Sequence, residues 1–168
     1  MGKWINRVKD SLLEIVDNVQ EECEDHEKFL LVRVTVVGYR DHGDRRRFEV
    51  MPFSTDINAV KDFIGNLYAE GGGDAPEDVV GGIKLLLMQE WTKRAYKRVI
   101  MICDAPPHGL EYHDKKYRDD YPEGSPDGLK LEPLIYELKK KRIHLSCMKL
   151  NKSVKIMLKI IKETHDKC

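Results

Sequence analysis

The spacing of apolar residues predicts five amphipathic helices, because such residues recur every three or four positions in five segments of the chain. The first helix begins almost at residue 1. The second follows Ser54, Thr55 and Asp56, which favour a helix start, and it stops in glycine. The other three helices are expected over about residues 76–89, 129–141 and 153–163.

Four other segments are rich in β-branched residues and predict strands. The first lies in the segment 28–41 and should end at Gly38. This segment is too continuously apolar for a half-exposed strand, so we expect the strand to be largely buried. A Gly-Asp turn leads into a short strand over 47–52, which should pair antiparallel with the first. The last two strands are expected over 98–103 and 143–150. Because strands alternate with helices, the sequence predicts one α/β domain over residues 1–168, with a doubly wound, mostly parallel sheet and one antiparallel edge strand.

Charge limits the classes of partner. The chain has 29 Lys and Arg residues against 29 Asp and Glu residues, so its formal net charge is zero. Binders of nucleic acid or anionic membranes need a basic excess, which argues against both classes. Two basic runs remain: we expect Arg45–Arg47 to be a solvated hairpin tip and Lys139–Arg142 to be the cation-rich last turn of a helix. No apolar stretch approaches the roughly 20 residues of a membrane helix, so we expect no membrane span.

The cysteine pattern indicates a reducing compartment. The four cysteines are widely scattered and form no CxxC pair, and two of them lie inside apolar strand-like segments. Reduced, buried thiols are typical of cytosolic proteins, so we expect a cytoplasmic location.

The stretch "GGGDAPEDVVGGI" places three glycines before a predicted helix and three acids around its start. Two explanations stay open. Asp74 and Glu77 have the spacing of a capping box, which by itself would account for both acids. Alternatively, the acids bind a cation. A phosphate site is disfavoured, because the loop lacks the Gly-Lys-Ser/Thr ending and Asp74, Glu77 and Asp78 would repel an anion.

The cation explanation gains support from an acid outside this stretch. Asp104 directly follows the strand over 98–103, and ligands of open α/β sheets bind beyond the carboxyl ends of the strands. The loop that begins at Tyr39 should reach the same rim. Oxygen ligands favour Mg²⁺, Mn²⁺ or Ca²⁺. A zinc site from Cys103, His108 and His113 is an alternative, but this spacing matches no common zinc pattern.

The strings "VVGYRDHGDRRRFEVMPFSTDI", "GGGDAPEDVVGGI", "VIMICDAPPHG", "YHD" and "DDYPEGSPDGL", in this order, resemble the von Willebrand factor A-type domain. The resemblance runs from about Trp4 to Leu150 and is to the branch found in alpha-type protein kinases. It implies a Rossmann-like sheet with a metal-ion-dependent adhesion site at its carboxyl edge.

The resemblance also implies the ligands of this metal site. The family uses an Asp-x-Ser/Thr-x-Ser string after its first strand, a threonine in a middle loop and an aspartate after its fourth strand. Asp104 matches the last of these, and Asp74 stands nearest to the position of the threonine. The first string has no counterpart, so we expect the central first strand to lie upstream of this chain and the Mg²⁺, Mn²⁺ or Ca²⁺ site of the present chain to be weak.

The function expected from the resemblance is a non-enzymatic protein-binding module that uses the carboxyl-edge face, in a parent protein related to alpha-type kinases. Asp104 and Asp74 would be the metal ligands. Two alternatives are a metal-assisted hydrolase, with Asp104 and a histidine base, and a metal-free scaffold. We expect His108 and His113 to be exposed loop residues. The rim around the metal would be formed by Tyr39, Arg40, Asp41, Gly73, His108 and His113.

Overall fold

The computed structural model describes residues 2–24 and 31–167 of the chain. A short 3-10 turn, Gly2–Trp4, leads directly into the first helix. The helices of the described residues are α1 (Ile5–Glu24), α2 (Ile57–Asn66), α3 (Val79–Leu87), α4 (Leu131–Lys140) and α5 (Lys155–Lys167). The strands are β1 (Val34–Tyr39), β2 (Phe48–Ser54), β3 (Arg98–Cys103) and β4 (His144–Lys149).

Helix and strand positions agree with the sequence prediction to within a few residues. Two expectations are wrong: α2 ends at Asn66, before the glycine loop, and β1 is half-buried along its whole length instead of largely buried. Asp56 caps α2 as expected, since its side chain accepts a hydrogen bond from the Ala59 amide. Strand β1 continues one residue past Gly38, and residues 28–30 of its predicted start lie outside the described residues. Helix α3 begins three residues later than predicted, because the Glu77 amide is bonded to the carbonyl of Pro106 instead of entering a helix.

The described strands form two separate two-stranded sheets, so the predicted doubly wound sheet, whose central first strand was expected to be missing, is not confirmed. Strand β1 pairs antiparallel with β2, which confirms the predicted hairpin, and β3 pairs in parallel with β4. A cavity of about 520 Å³ separates β1 from β3 and is lined by both strands and by α1 and α3. The continuous, doubly wound sheet is therefore not formed by these residues, because β1 and β3 share no hydrogen-bonded ladder.

Residues 77 and 78 place the ends of β1 and β3 side by side. The Asp78 amide donates to the carbonyl of Arg40 at 3.2 Å, and the Glu77 amide donates to the carbonyl of Pro106 at 2.9 Å. Arg40 and Pro106 follow β1 and β3, so both strands end at one edge of the molecule, which we call the carboxyl edge. This edge carries the loops over residues 40–47, 70–78 and 104–128.

The main core lies where α3, α4 and α5 pack against the β3–β4 sheet, and Leu131, Leu138 and Met157 are almost completely buried in it. Cys103 is buried in the same core and, like Cys147, is a free thiol. A smaller cluster under β1 contains Val60 and Ile64. Within the described residues no helix is long and apolar enough to cross a membrane.

Candidate functional site

Three loops of the carboxyl edge bring together two carboxylates and an imidazole. Asp41 lies in the loop after β1, Asp74 in the glycine-rich loop before α3, and His108 in the loop after β3. Each offers one ligand atom, and these atoms all lie within 4.8 Å of one another. All three residues were predicted for this rim from the sequence, and the structure brings them together.

His108 lies between two carboxylates. Its Nε2 is 2.7 Å from Oδ1 of Asp41, and its Nδ1 is 2.7 Å from Oδ1 of Asp119. Burial lowers the pKa of His108, but the hydrogen bonds to Asp119 and Asp41 outweigh it, so the pKa is raised above its ordinary value. The site therefore favours a positive charge at the position of this ring.

Asp119 closes the loop over residues 108–121. Besides His108, its carboxylate accepts hydrogen bonds from His113 Nε2 at 2.9 Å and from the amides of Gly109 and Tyr121, both at 2.8 Å. Burial raises the pKa of Asp119, but the hydrogen bonds from His108 and His113 and those from the two amides prevail and lower it to about 2. Asp119 could not be recognised from the sequence, because one aspartate among several in a polar loop carries no distinctive spacing.

The expectation that both histidines are exposed is wrong. His108 and His113 are each 2% exposed, because Asp119 holds both rings inside the loop. The alternative zinc site is not formed either. Cys103 lies in the core, and no cysteine belongs to the clusters of possible metal ligands among the described residues.

Asp74 has one carboxylate oxygen that no protein group satisfies. Its Oδ2 accepts a hydrogen bond from the Asp120 amide, while its Oδ1 is buried and has no partner within the described structure. Burial, first of all, raises the pKa of this carboxyl. The capping-box interpretation of Asp74 and Glu77 is wrong, because Asp78 is the residue that caps α3 by accepting from the Gly81 amide at 2.8 Å.

Glu77 adds a second unsatisfied oxygen. Its Oε2 is buried without a hydrogen-bond partner among the described residues. Burial raises the pKa of Glu77 to about 7, and the neighbouring carboxylates of Asp41, Asp44 and Asp104 contribute to the shift. Buried acceptors that lack partners are uncommon in folded proteins, so this end of the molecule has more negative charge than its own donors satisfy.

A second group of possible ligands, formed by His42, Asp78 and Asp127, already contains a cation. The guanidinium of Arg47 donates from Nε to Oδ2 of Asp78 at 2.7 Å and also pairs with Asp127. Arg47 is thus partly buried against α3 rather than a solvated hairpin tip, as the basic run was expected to be. Because arginine supplies the positive charge here, the group formed by Asp41, Asp74 and His108 is the better candidate for a metal.

The remaining predicted rim residues have different surroundings. Arg40 is buried and bonded to Glu49 at 2.5 Å and to the carbonyl of Tyr68, which gives it a structural role. Tyr39 lines the cavity between the sheets, and burial raises its pKa. Gly73 is exposed in the glycine loop. Asp104 is not a member of the Asp41 cluster, although its charge acts on Glu77, so its role as a ligand stays a prediction.

Comparisons with known proteins give one family. The family profile described as "von Willebrand factor A domain" matches residues 1–116. The chain is also similar to "Alpha-protein kinase vwkA" of Dictyostelium discoideum, with 32% identity over 139 residues. The aligned part is 82% of this chain and 21% of that kinase, so the chain spans about a fifth of this curated relative. No solved structure gives a significant match.

Replacing Gly81 by alanine should destabilise the site. A Cβ atom there would lie 2.2 Å from Oδ2 of Asp78 and 2.6 Å from the Phe48 ring, so it would disturb both the helix cap and the partner of Arg47. We expect Gly81→Ala to lower the free energy of unfolding by about 1–3 kcal/mol in urea titrations. Gly65→Ala is the matched control, since its Cβ meets nothing within 4 Å in α2 and should stabilise by up to about 1 kcal/mol. Equal effects of the two changes would contradict this role of Gly81.

Glu77→Gln should stabilise the protein at high pH. The unfolded chain loses the Glu77 proton near the ordinary pKa of 4.5, whereas the folded chain keeps it until about 7. Stability of the wild type therefore falls as the pH rises through this window, and a glutamine avoids the loss. In EDTA, urea titrations should show a gain of up to about 3 kcal/mol at pH 8 that vanishes below pH 4.5. A constant gain at all pH values, or the same gain for exposed Glu123→Gln, would refute the assignment.

Proposed function

Because the chain belongs to the von Willebrand factor A domain family, we propose that it is a non-enzymatic protein-binding module whose carboxyl edge holds a divalent cation and contacts a partner. The supporting observation is the unsatisfied, buried Oδ1 of Asp74 beside Asp41 and His108. A cation would give this oxygen a partner and would offset the charge of the surrounding carboxylates.

The residues present fit a divalent ion. Asp41 and Asp74 supply hard oxygen atoms, and His108 supplies a ring nitrogen once the ion displaces the proton and the hydrogen bond that this nitrogen has in the metal-free chain, so we favour Mn²⁺ or Mg²⁺, with Ca²⁺ as the third choice. The charges of Asp41 and Asp104 both raise the pKa of Glu77, so these carboxylates are neighbours. Glu77 and Asp104 are therefore the further ligands that we propose. Few direct ligands in this chain imply weak binding. Such an ion supplies a positive centre that a carboxylate of the partner can reach.

The remaining elements of the proposal concern the parent protein. Since the similar kinase is much longer than this chain, we propose that the domain brings a partner or substrate to a kinase domain elsewhere in a cytoplasmic parent protein. A hydrolase is less well supported. Both ring nitrogens of His108 face carboxylates and His113 Nε2 faces Asp119, so each ring already has polar partners that would compete with a role as base.

We also propose that a further strand fills the cavity between β1 and β3 and completes one doubly wound, Rossmann-like sheet. Gly2 and the apolar face of α1 line this cavity, and an α-helix of this length suits the crossover between two parallel strands. The new strand would satisfy the edges of β1 and β3, which pair only with β2 and β4 among the described strands.

Metal binding should raise the thermal stability of the chain. We expect millimolar Mn²⁺ or Mg²⁺ to increase the melting temperature relative to EDTA, and Asp74→Asn to abolish the increase. Asp114→Asn is the control, because this exposed aspartate pairs with Lys116 away from the cluster and should keep the increase. A wild type whose melting temperature ignores both ions would favour the metal-free scaffold. The binding role is tested separately, by retention of a partner from cell extract that depends on Mn²⁺ and is lost in Asp74→Asn.

Completion of the sheet should stabilise the domain. We expect a version of the chain that carries the proposed strand ahead of residue 1 to melt cooperatively and at a higher temperature than the present chain. In the extended protein, an aspartate replacing Val99, which lines the cavity, should remove most of that gain. Equal melting temperatures of the two chains would reject the proposed strand without affecting the metal proposal.

A further inference from the structure

The edge opposite the proposed metal site is strongly basic. Residues 91–98 lead into β3, and residues 138–146 link α4 to β4; each segment contains four Lys or Arg residues and no acid. We call these two segments the basic edge. The zero net charge of the chain conceals this segregation.

Contacts between the two segments make the basic edge one surface. The amide of His144 donates to the carbonyl of Lys97 at 2.9 Å, and Nζ of Lys97 donates to the carbonyl of Lys141 at 3.1 Å. The ring of Tyr96 is stacked on that of His144, with centroids 5.2 Å apart. The two basic runs are about 45 residues apart in the sequence, so only the folded chain shows that they are adjacent.

Within the described residues, most of the positive charge of the basic edge has no acidic partner. Of its eight cations, only Lys140 forms an ion pair with another described residue, Glu137, at 3.7 Å. That pair is largely exposed and contributes little. Tyr96 lies between these cations in the sequence, and its side chain is 77% exposed. It offers an aromatic ring with a polar tip. Such rings are enriched at the level of lipid headgroups.

Arg142 occupies a conformation that favours glycine. Its φ is 56°, at the residue after the helix cap, where the Ile143 amide donates back to the Leu138 carbonyl at 2.9 Å. Glycine is the usual residue at this position of a helix end, since a side chain is strained there. A strained charged residue within an exposed cationic surface points to a role outside the fold.

We propose that the basic edge docks the domain onto an anionic phospholipid surface. Six of the eight cations are exposed, and all eight lie in the segments that lead into β3 and β4, which suits contact with a broad charged plane. Each Lys or Arg near such a surface raises affinity by about fivefold. The acids of the carboxyl edge lie at the other end, so a negative surface would attract one end, repel the other and leave the proposed protein-binding face pointing outward.

Vesicle co-sedimentation of the full chain tests the proposal. We expect binding to phosphatidylcholine vesicles that contain about 30 mol% phosphatidylserine, none to phosphatidylcholine alone, and a decline with added salt. Arg94→Glu with Lys141→Glu should weaken binding by more than about tenfold. The control, Lys152→Glu with Lys155→Glu, makes the same charge change beside the carboxyl edge, where Ser153 bonds the carbonyl of Asp104, and should not weaken binding. Equal losses in both double variants would overturn a specific basic edge.

Arg142→Gly separates folding from binding. Glycine relieves the strain at φ 56°, so we expect a higher melting temperature together with about fivefold weaker vesicle binding. A damaged fold would instead lower both quantities. Unchanged vesicle binding by Arg142→Gly and by the Arg94/Lys141 variant would overturn the proposal.

Stronger binding to single-stranded RNA or polyglutamate than to the anionic vesicles, at the same salt concentration, would replace the lipid surface with that partner.

Discussion

Two backbone hydrogen bonds hold the two halves of this molecule in register. The amides of Glu77 and Asp78 reach the carbonyls of Pro106 and Arg40, and they do so across a gap where β1 and β3 share no ladder. The same two residues start α3, whose buried glycines allow it to pack closely on Tyr39 and Phe48. The position of the carboxyl edge therefore depends on a short segment that belongs to neither sheet.

That segment also explains the concentration of negative charge. Asp78 faces a helix start and Arg47, and its charge is satisfied by both. Glu77, one residue earlier, has no comparable donor for one of its oxygens. The backbone of residues 77 and 78 thus buries two adjacent carboxylates. That of Asp78 has hydrogen-bond donors, whereas one oxygen of Glu77 has none among the described residues. The imbalance is the physical reason to look for a cation at Asp41, Asp74 and His108 and not at Arg47.

The sequence predicted what local patterns can determine. Apolar spacing located the helices and strands, and Asp56 marked the start of α2, because these signals lie within a few residues of one another. The juxtaposition of Asp41, Asp74 and His108 also followed, since strand ends meet at one edge of an α/β fold.

Features that depend on distant partners could not be predicted in this way. Asp74 had the spacing of a cap for α3 together with Glu77, and only the positions of Asp120 and Gly81 show that Asp78 is the cap instead. The burial of both histidines depends on Asp119, which lies in the same loop but is not marked by its spacing. The basic edge was missed because a net charge of zero does not report where the charges lie.

The four hydrogen bonds to Asp119 have a kinetic consequence. One carboxylate protects the amides of Gly109 and Tyr121 and also retains the rings of His108 and His113. The loop over residues 108–121 cannot release one of these groups without weakening the hold on the others. It should therefore open as a single cooperative unit, in which both amides exchange with solvent in the same event.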